Sequence, residues 1–531
     1  MKLRRTVKIK NVLATDVNEK VTLKEYAAYS SSTAVSRAAS AMQGYFGGLV
    51  ASSFLGLSED AFKIYSAIIF VLGFWDIAND VIVSSFMDKT RKTFGRWGRF
   101  KPWIMLMIIP FNLVVIMQAF PLKDYFPGVG DTFKVTYLVL LYFLNDAFNT
   151  FYNAALTALN ARRTTSNKER GFFAAIDSII GTAVGACGAY LATFLAFLLP
   201  NLSEAERYFY GYTVVTIAAI PFTLWNIIVA KERIAEPPKE EVPRLRDIYK
   251  TIIKNRPLII CMISEILGYG FGFGYGFMTY AFRACFSTES FQITFFRDTF
   301  IEFTYNYNLE GSAEGNYAAL ISFISLVCFV PTGISLFVAP VLRKFFDDKI
   351  LYIGMKVGTA ICYFAMFFSI YPYESHEPQD IFISVLIWYA LHGFTTGFYN
   401  TIPGLMQMAI YDYGEWKFGE RNEPTVSALK NTLSRILGNC TTFFSNLILV
   451  SIGYIAYADT PKDMPTSSKS SLLYMFALAP AAFSVLSIIP MFFYKLTGKK
   501  HKEIVKELEA RRQQSLDELN EINAEEINAE N

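Results

Sequence analysis

The chain has 531 residues and a formal net charge of +3, and it is 53% hydrophobic and 16% aromatic. So balanced a charge supplies no general basic face for nucleic acid, and so apolar a composition at this length excludes an ordinary soluble chain of several domains. The apolar residues fall into blocks long enough to cross a hydrocarbon core, which takes about 20 helical residues.

In chain order, the basic segment 1–25 reads as retained and cytoplasmic, because no short apolar core and cleavage site follow it. Twelve membrane helices are then predicted at 26–55, 61–87, 102–121, 134–160, 171–199, 207–230, 256–286, 316–340, 350–371, 379–411, 425–457 and 472–495. The seventh, LGYGFGFGYGFMTYAF, alternates glycine with aromatics as a strand would. Its length and its place between spans predict a glycine-rich helix instead. The segment 498–531 reads as a solvated helical tail ending in an EINAE repeat.

Lys and Arg set the orientation. They crowd the loops after spans two, four, eight and ten, as in Lys89, Arg91, Lys92, Arg96, Arg99 and Lys101, whereas intervening loops such as SHEPQD and LSEAER lean acidic. Both termini are therefore expected in the cytoplasm. A charged, proline-containing stretch, 231–255, separates six-helix halves at 26–230 and 256–497. This six-plus-six plan is typical of secondary carriers. No P-loop, G-x-S-x-G or H-E-x-x-H occurs, so no enzyme and no bound cofactor is expected. The six cysteines form no C-x-x-C pair, and the three histidines have no metal-ligand spacing.

An ionisable side chain in mid-membrane costs on the order of 2.5–3.5 kcal/mol, so each one must face a cavity or a partner. Asp76, Asn79 and Asp80 share one face of span two. Two carboxylates and an amide oxygen suit a small cation, and a like-charged pair also suits a proton. The alternative is a structural polar cluster paired with Arg37 of span one. Asp146, Asn149 and Asn153 of span four form a second polar face, fit for a cation or a hydroxyl-rich substrate. Asp177, Glu265, Arg283, Lys430 and Arg435 are further intramembrane charges. Of these, Arg435 could hold an anionic sugar group or neutralise the emptied carboxylates, while Glu265 and Arg283 lie nearer span ends. Trp75 and Tyr152 could stack on a sugar ring or serve in packing.

The stretch WDIANDVIVSSFMDKTRKTFGRWGRFKPW, residues 75–103, resembles the signature of the glycoside–pentoside–hexuronide:cation symporters. MQMAIYDYGEWKFGERNE, residues 406–423, resembles that family's segment after the tenth helix, and FYNAALTALNARRTTSNKERG its fourth helix and loop. The resemblance implies an all-α major facilitator fold in a plasma or inner membrane, moving a sugar or glycoside with Na⁺, H⁺ or Li⁺ by alternating access. It implies Asp76, Asn79 and Asp80 as cation ligands, with Asp146 either a fourth cation ligand or in the sugar role; Asn149, Asn153, Tyr152, Arg435, Asp177 and Arg37 are expected around the substrate. Asp88, Arg96, Arg99, Asp412, Glu415 and Arg421 become a cytoplasmic gate, and a monomer is expected. The first-helix acidic sugar ligand is missing from YSSSTAVSR, Gly73 stands where the family has an arginine, and Asn149 stands at an acidic position. The cation machinery is kept and the sugar pocket is rewritten. Within the same fold a lysolipid or amphiphile carrier is the rival, and a non-transporting membrane sensor is the alternative from another class.

Overall fold

The first helix starts where Thr22 accepts from the Glu25 backbone while the Glu25 carboxylate receives the Thr22 N–H, a reciprocal cap. The computed structural model describes residues 20–89, 97, 98, 100–164, 201–233, 254–286, 291–295, 303–307, 313–419, 423–458, 460–508, 510 and 511. It also describes residue 169 and, in the fifth predicted span, residues 172, 173, 176, 177, 179–181, 183, 184, 195, 198 and 199.

The helices are α1 (Leu23–Leu49), α2 (Glu59–Lys89), α3 (Lys101–Gln118), α4 (Asp131–Ala161) and α5 (Glu204–Val229). Then follow α6 (Arg256–Gly268), α7 (Phe271–Phe286), α8 (Ala313–Leu342), α9 (Asp348–Ile370), α10 (Pro378–Tyr399), α11 (Ile402–Phe418), α12 (Glu423–Ser451) and α13 (Thr466–Met491). Among the described residues, nine stretches are long and apolar enough to cross a membrane. Helices α1 and α4 fall outside that set. They carry Ser30, Ser31, Ser32 and Arg37, and Asp146, Asn149 and Asn153, polar residues that weaken the span signal.

Three details depart from the sequence expectations. The seventh and tenth spans are each broken in two, as α6–α7 and α10–α11. The all-α class holds, with one addition in a loop: an antiparallel hairpin, β1 (Phe291–Phe295) with β2 (Phe303–Tyr307), lies between α7 and α8 in the chain with Ile293 opposite Tyr305. Finally, the tail is not simply solvated. Residues 498–508 are helical, and Ile504 and Leu508 are buried in a core with Met406, Ile410 and Tyr494.

The chain forms two compact units. One comprises residues 1–239, 279–326 and 442–472, and the other residues 240–278, 327–441 and 473–531. In the first, α3 packs against α4 and α5, α1 against α5, and α2 against α4. Apolar Val83, Ile104, Ala155, Leu159 and Ile227 close the space between α2, α3, α4 and α5. In the second, α9 packs against α10 and α11.

Two glycines are required by geometry. Gly98, in the basic loop, has φ +70°, and a Cβ there would fall 2.6 Å from Glu232 Oε1. Gly274 lets α7 meet α13 closely, since an added Cβ would lie 2.0 Å from the Pro480 ring.

Candidate functional site

Helices α2 and α4 bring the acidic residues of spans two and four into two neighbouring hydrogen-bonded groups, one around Asp80 and Asp146 and one around Asp76. Asn79 Nδ2 donates to Asp146 Oδ2 at 2.8 Å and lies 3.4 Å from Thr150 Oγ1. Thr150 Oγ1 in turn lies 3.3 Å from Asp80 Oδ1 and 3.5 Å from Asp146 Oδ1. Above this, the Tyr142 hydroxyl donates to Asp76 Oδ2 at 2.7 Å. In these bonds one amide, one hydroxyl and one phenol reach three carboxylates. Among the described residues, no three His, Cys, Asp or Glu side chains are gathered tightly enough for a metal ion. Asp80 and Asp146 are joined through Asn79 and Thr150, and Asp76 is held apart by Tyr142.

Tyr142 and Thr150 are absent from the sequence expectations. Their spacing around Asp146, four residues before and four after, places all three on one helical face and is the signal that reveals them. Tyr142 also lines a cavity of about 200 Å³ with Gln43, Tyr65, Gln118, Asn145 and Tyr212. Asn145 Nδ2 donates to Gln118 Oε1 at 2.9 Å. Asn145 Oδ1 is buried with no hydrogen-bond partner among the described residues. Amide and phenol groups around an unsatisfied acceptor are chemistry suited to hydroxyl-bearing ligands.

The other expected residues are distributed differently. Arg37 Nη2 pairs with Asp177 Oδ2 at 2.6 Å in a half-exposed contact, so Arg37 meets Asp177 rather than serving the α2 aspartates through this bond. Asn153 donates to Asn149 at 2.5 Å one turn beyond Thr150. Tyr152 stacks on Phe111, with ring centroids 5.2 Å apart. Trp75 stacks on Phe143 at 5.9 Å. Arg435 is on the exposed side of α12. Five residues earlier, Lys430 pairs with Glu265 Oε1 at 2.6 Å and donates to Gln407 at 3.0 Å.

Of the expected gate, Arg96, Arg99, Arg421 and the Asp88 side chain lie outside the described residues. Asp412 Oδ2 is 2.9 Å from His501 Nε2 of the tail helix, and Glu415 lies one turn further along α11.

Two buried charge networks brace the first unit. The Arg233 guanidinium grips both Glu25 oxygens at 2.9 and 2.8 Å, with the two side chains 1% and 2% exposed. It also donates to the Arg163 carbonyl, and Arg163 donates to Asn226. The second network centres on Arg283, which the sequence left near a span end. It binds Glu204 at 2.8 Å, Ser53 at 2.9 Å, Tyr454 at 3.1 Å and the Ala458 carbonyl at 2.7 Å, while Tyr317 donates to Glu204. Nearly every guanidinium donor is used, as a buried Arg requires.

The sequence family described as MFS/sugar transport protein matches residues 60–301 and 299–498. The chain is 26% identical to an uncharacterized symporter, YjmB, of Bacillus subtilis (strain 168), over 81% of this chain and 83% of that protein. It is 23% identical to a lactose permease of Leuconostoc lactis, over 88% and 67%. Among solved structures, the nucleoside transporter NupG superposes with a TM-score of 0.55 at 12% identity, covering 89% of this chain and all of that one, a likeness of fold. Multiple apolar helices, intramembrane carboxylates on facing helices and a match across most of the chain all agree: this is a multi-pass membrane transporter belonging to the MFS/sugar transport family.

Proposed function

We propose that the protein is a cation-coupled symporter of a sugar or glycoside, working by alternating access in a plasma membrane with both termini cytoplasmic. The observation that carries this reading is Tyr142. It donates to Asp76 and also lines the amide-rich cavity, so one side chain joins one of these carboxylates to a space for hydroxyl groups. A cation, Na⁺ or H⁺, binds Asp76, Asp80 and Asp146 with Asn79. It displaces the Asn79 and Thr150 donors that hold the carboxylates in its absence.

Charge neutralisation then frees the Tyr142 hydroxyl to serve the sugar, which gives the two ligands reciprocal coupling. One positive charge carried inward is worth about 2.3 kcal/mol per 100 mV, enough for an accumulation of about fifty-fold. The loop after α2 acts as the cytoplasmic clamp, with Gly98 fitted against Glu232. The Lys- and Arg-rich loops support the orientation.

Proteoliposome uptake of a sugar panel, with and without Na⁺ and a proton gradient, tests this. Wild type should concentrate at least one sugar in a cation-dependent way, and Asp80→Asn should abolish accumulation while leaving downhill exchange. Full accumulation by Asp80→Asn would overturn the site assignment.

A further inference from the structure

At one end of the second unit lies a cavity of about 630 Å³, lined by four cations and an apolar wall. Arg256 opens α6, Lys417 stands at the end of α11, Lys495 follows α13, and Lys500 belongs to the tail helix. Pro257, Ile259, Ile260, Phe493 and Leu496 supply the apolar wall. Arg256 begins one apolar stretch long enough to cross a membrane, Lys417 ends another, and Lys495 lies just beyond a third. The cavity therefore sits at a membrane boundary.

All four cations are exposed, and none has a carboxylate partner among the described residues. Lys417 Nζ donates to the Tyr413 hydroxyl at 3.1 Å, and no Asp or Glu enters the lining. Asp412 of α11 and Glu507 of the tail helix are taken up by His501 and by the Trp416 indole. Lys349 donates to the Phe492 and Tyr494 carbonyls at 3.2 and 2.8 Å, which fixes the stretch that carries Phe493 and Lys495. The Phe493 ring is nonetheless 68% exposed at this boundary.

Four like charges around one concavity, with no carboxylate among them, concentrate anions there. A soluble phosphate uses the cations but not the apolar wall, whereas a phospholipid at the membrane edge uses both. From this juxtaposition we propose that the cavity binds an anionic glycerophospholipid. Its phosphodiester meets Arg256, Lys417, Lys495 and Lys500, and an acyl chain runs along Ile259, Ile260 and Phe493. Arginine grips a phosphate through two parallel bonds, and the lysines add point charges. The site does not depend on what the protein carries. Only the leaflet, the cytoplasmic one, rests on the orientation proposed above.

Thermal unfolding of the purified full-length protein in neutral detergent tests this, with phosphatidylglycerol, phosphatidylcholine, glycerophosphate or inorganic phosphate added in increasing amounts. Phosphatidylglycerol should half-stabilise wild type at about one-tenth of the phosphatidylcholine concentration or less, and the two soluble phosphates should have no effect in that range. Arg256→Gln and Lys495→Gln should each raise that concentration about fivefold, the equivalent of one surface charge near an anionic headgroup, and about twenty-five-fold together. Lys344→Gln removes an exposed charge between α8 and α9, outside the cavity, and should leave it unchanged. Because the substituted side chains are exposed and unpaired with acids, each variant should unfold at the wild-type temperature without lipid.

An equal response to the two lipids overturns the proposal. So does a preference that the Arg256→Gln and Lys495→Gln double variant retains. A loss as large in Lys344→Gln also overturns it, since overall charge rather than the cavity would then be read. Glycerophosphate or phosphate acting at the same concentration as phosphatidylglycerol refutes the lipid, because the ligand would be a free anion.

Discussion

Thr150 is the residue on which the Asp80–Asp146 group turns, because its hydroxyl lies within reach of Asp80, Asp146 and the Asn79 amide. Thr150→Val keeps the shape and removes that hydroxyl from the half-buried carboxylates of Asp80 and Asp146. Losing one such hydrogen bond costs about 1–3 kcal/mol. The concentration of Na⁺ or H⁺ needed for half-maximal uptake should therefore shift by about tenfold, and cation titration of uptake measures it.

Glu25 illustrates a different kind of residue, just before the first predicted span. Burial opposes its charge, but the Arg233 fork, with help from Thr22, wins and holds the carboxyl below its ordinary value of 4.5. Since the folded value is the lower one, its contribution to stability is complete above about pH 4.5 and lost as pH falls through the folded value. Wild type should thus melt at a steady temperature down to about pH 5 and lose stability in more acidic buffer. Glu25→Ala leaves Arg233 buried without its partner and should cost about 3–5 kcal/mol at neutral pH, read by thermal unfolding in detergent.

Among the elements, α7 tests how closely helices must approach. Gly274→Ala places a methyl against Pro480 and within 3.0 Å of the Phe476 carbonyl, so overpacking should cost about 1–3 kcal/mol. Gly276 has open space around its Cα, and Gly276→Ala should be tolerated within about 0.5 kcal/mol. A melting comparison of the two variants separates packing from any general dislike of alanine in this helix. The glycine–aromatic alternation was readable as a helix because its length demanded one, but the break before Phe271 was not. Asp76, Asn79 and Asp80 were legible because charge in an apolar run needs a reason. Tyr142 and Thr150 were not, since a tyrosine or threonine in a span carries no such cost until its partner is known. Arg283 showed its charge in the sequence but not its partners Ser53, Glu204, Tyr454 and Ala458, which lie far from it in the chain.

For the whole molecule, integrity draws on such long-range ties, and the described cysteines form no covalent one. Cys261, Cys285, Cys328, Cys362 and Cys440 are all free thiols in buried or half-buried positions. Reducing agent should leave the melting temperature unchanged, whereas Arg283→Ala should lower it by removing the partner of Glu204, a loss of about 3–5 kcal/mol. The tail helix has one further use. Through Ile504, Leu508 and the contact of His501 with Asp412 it is fastened to α11, and α11 is separated from α10 by the break at Asn400 and Thr401. Lys502 and Lys506 point outward from the same segment. A fluorophore or spin label carried there rides on α11 without touching the interior, which makes residues 498–508 a built-in pointer for watching that helix during turnover.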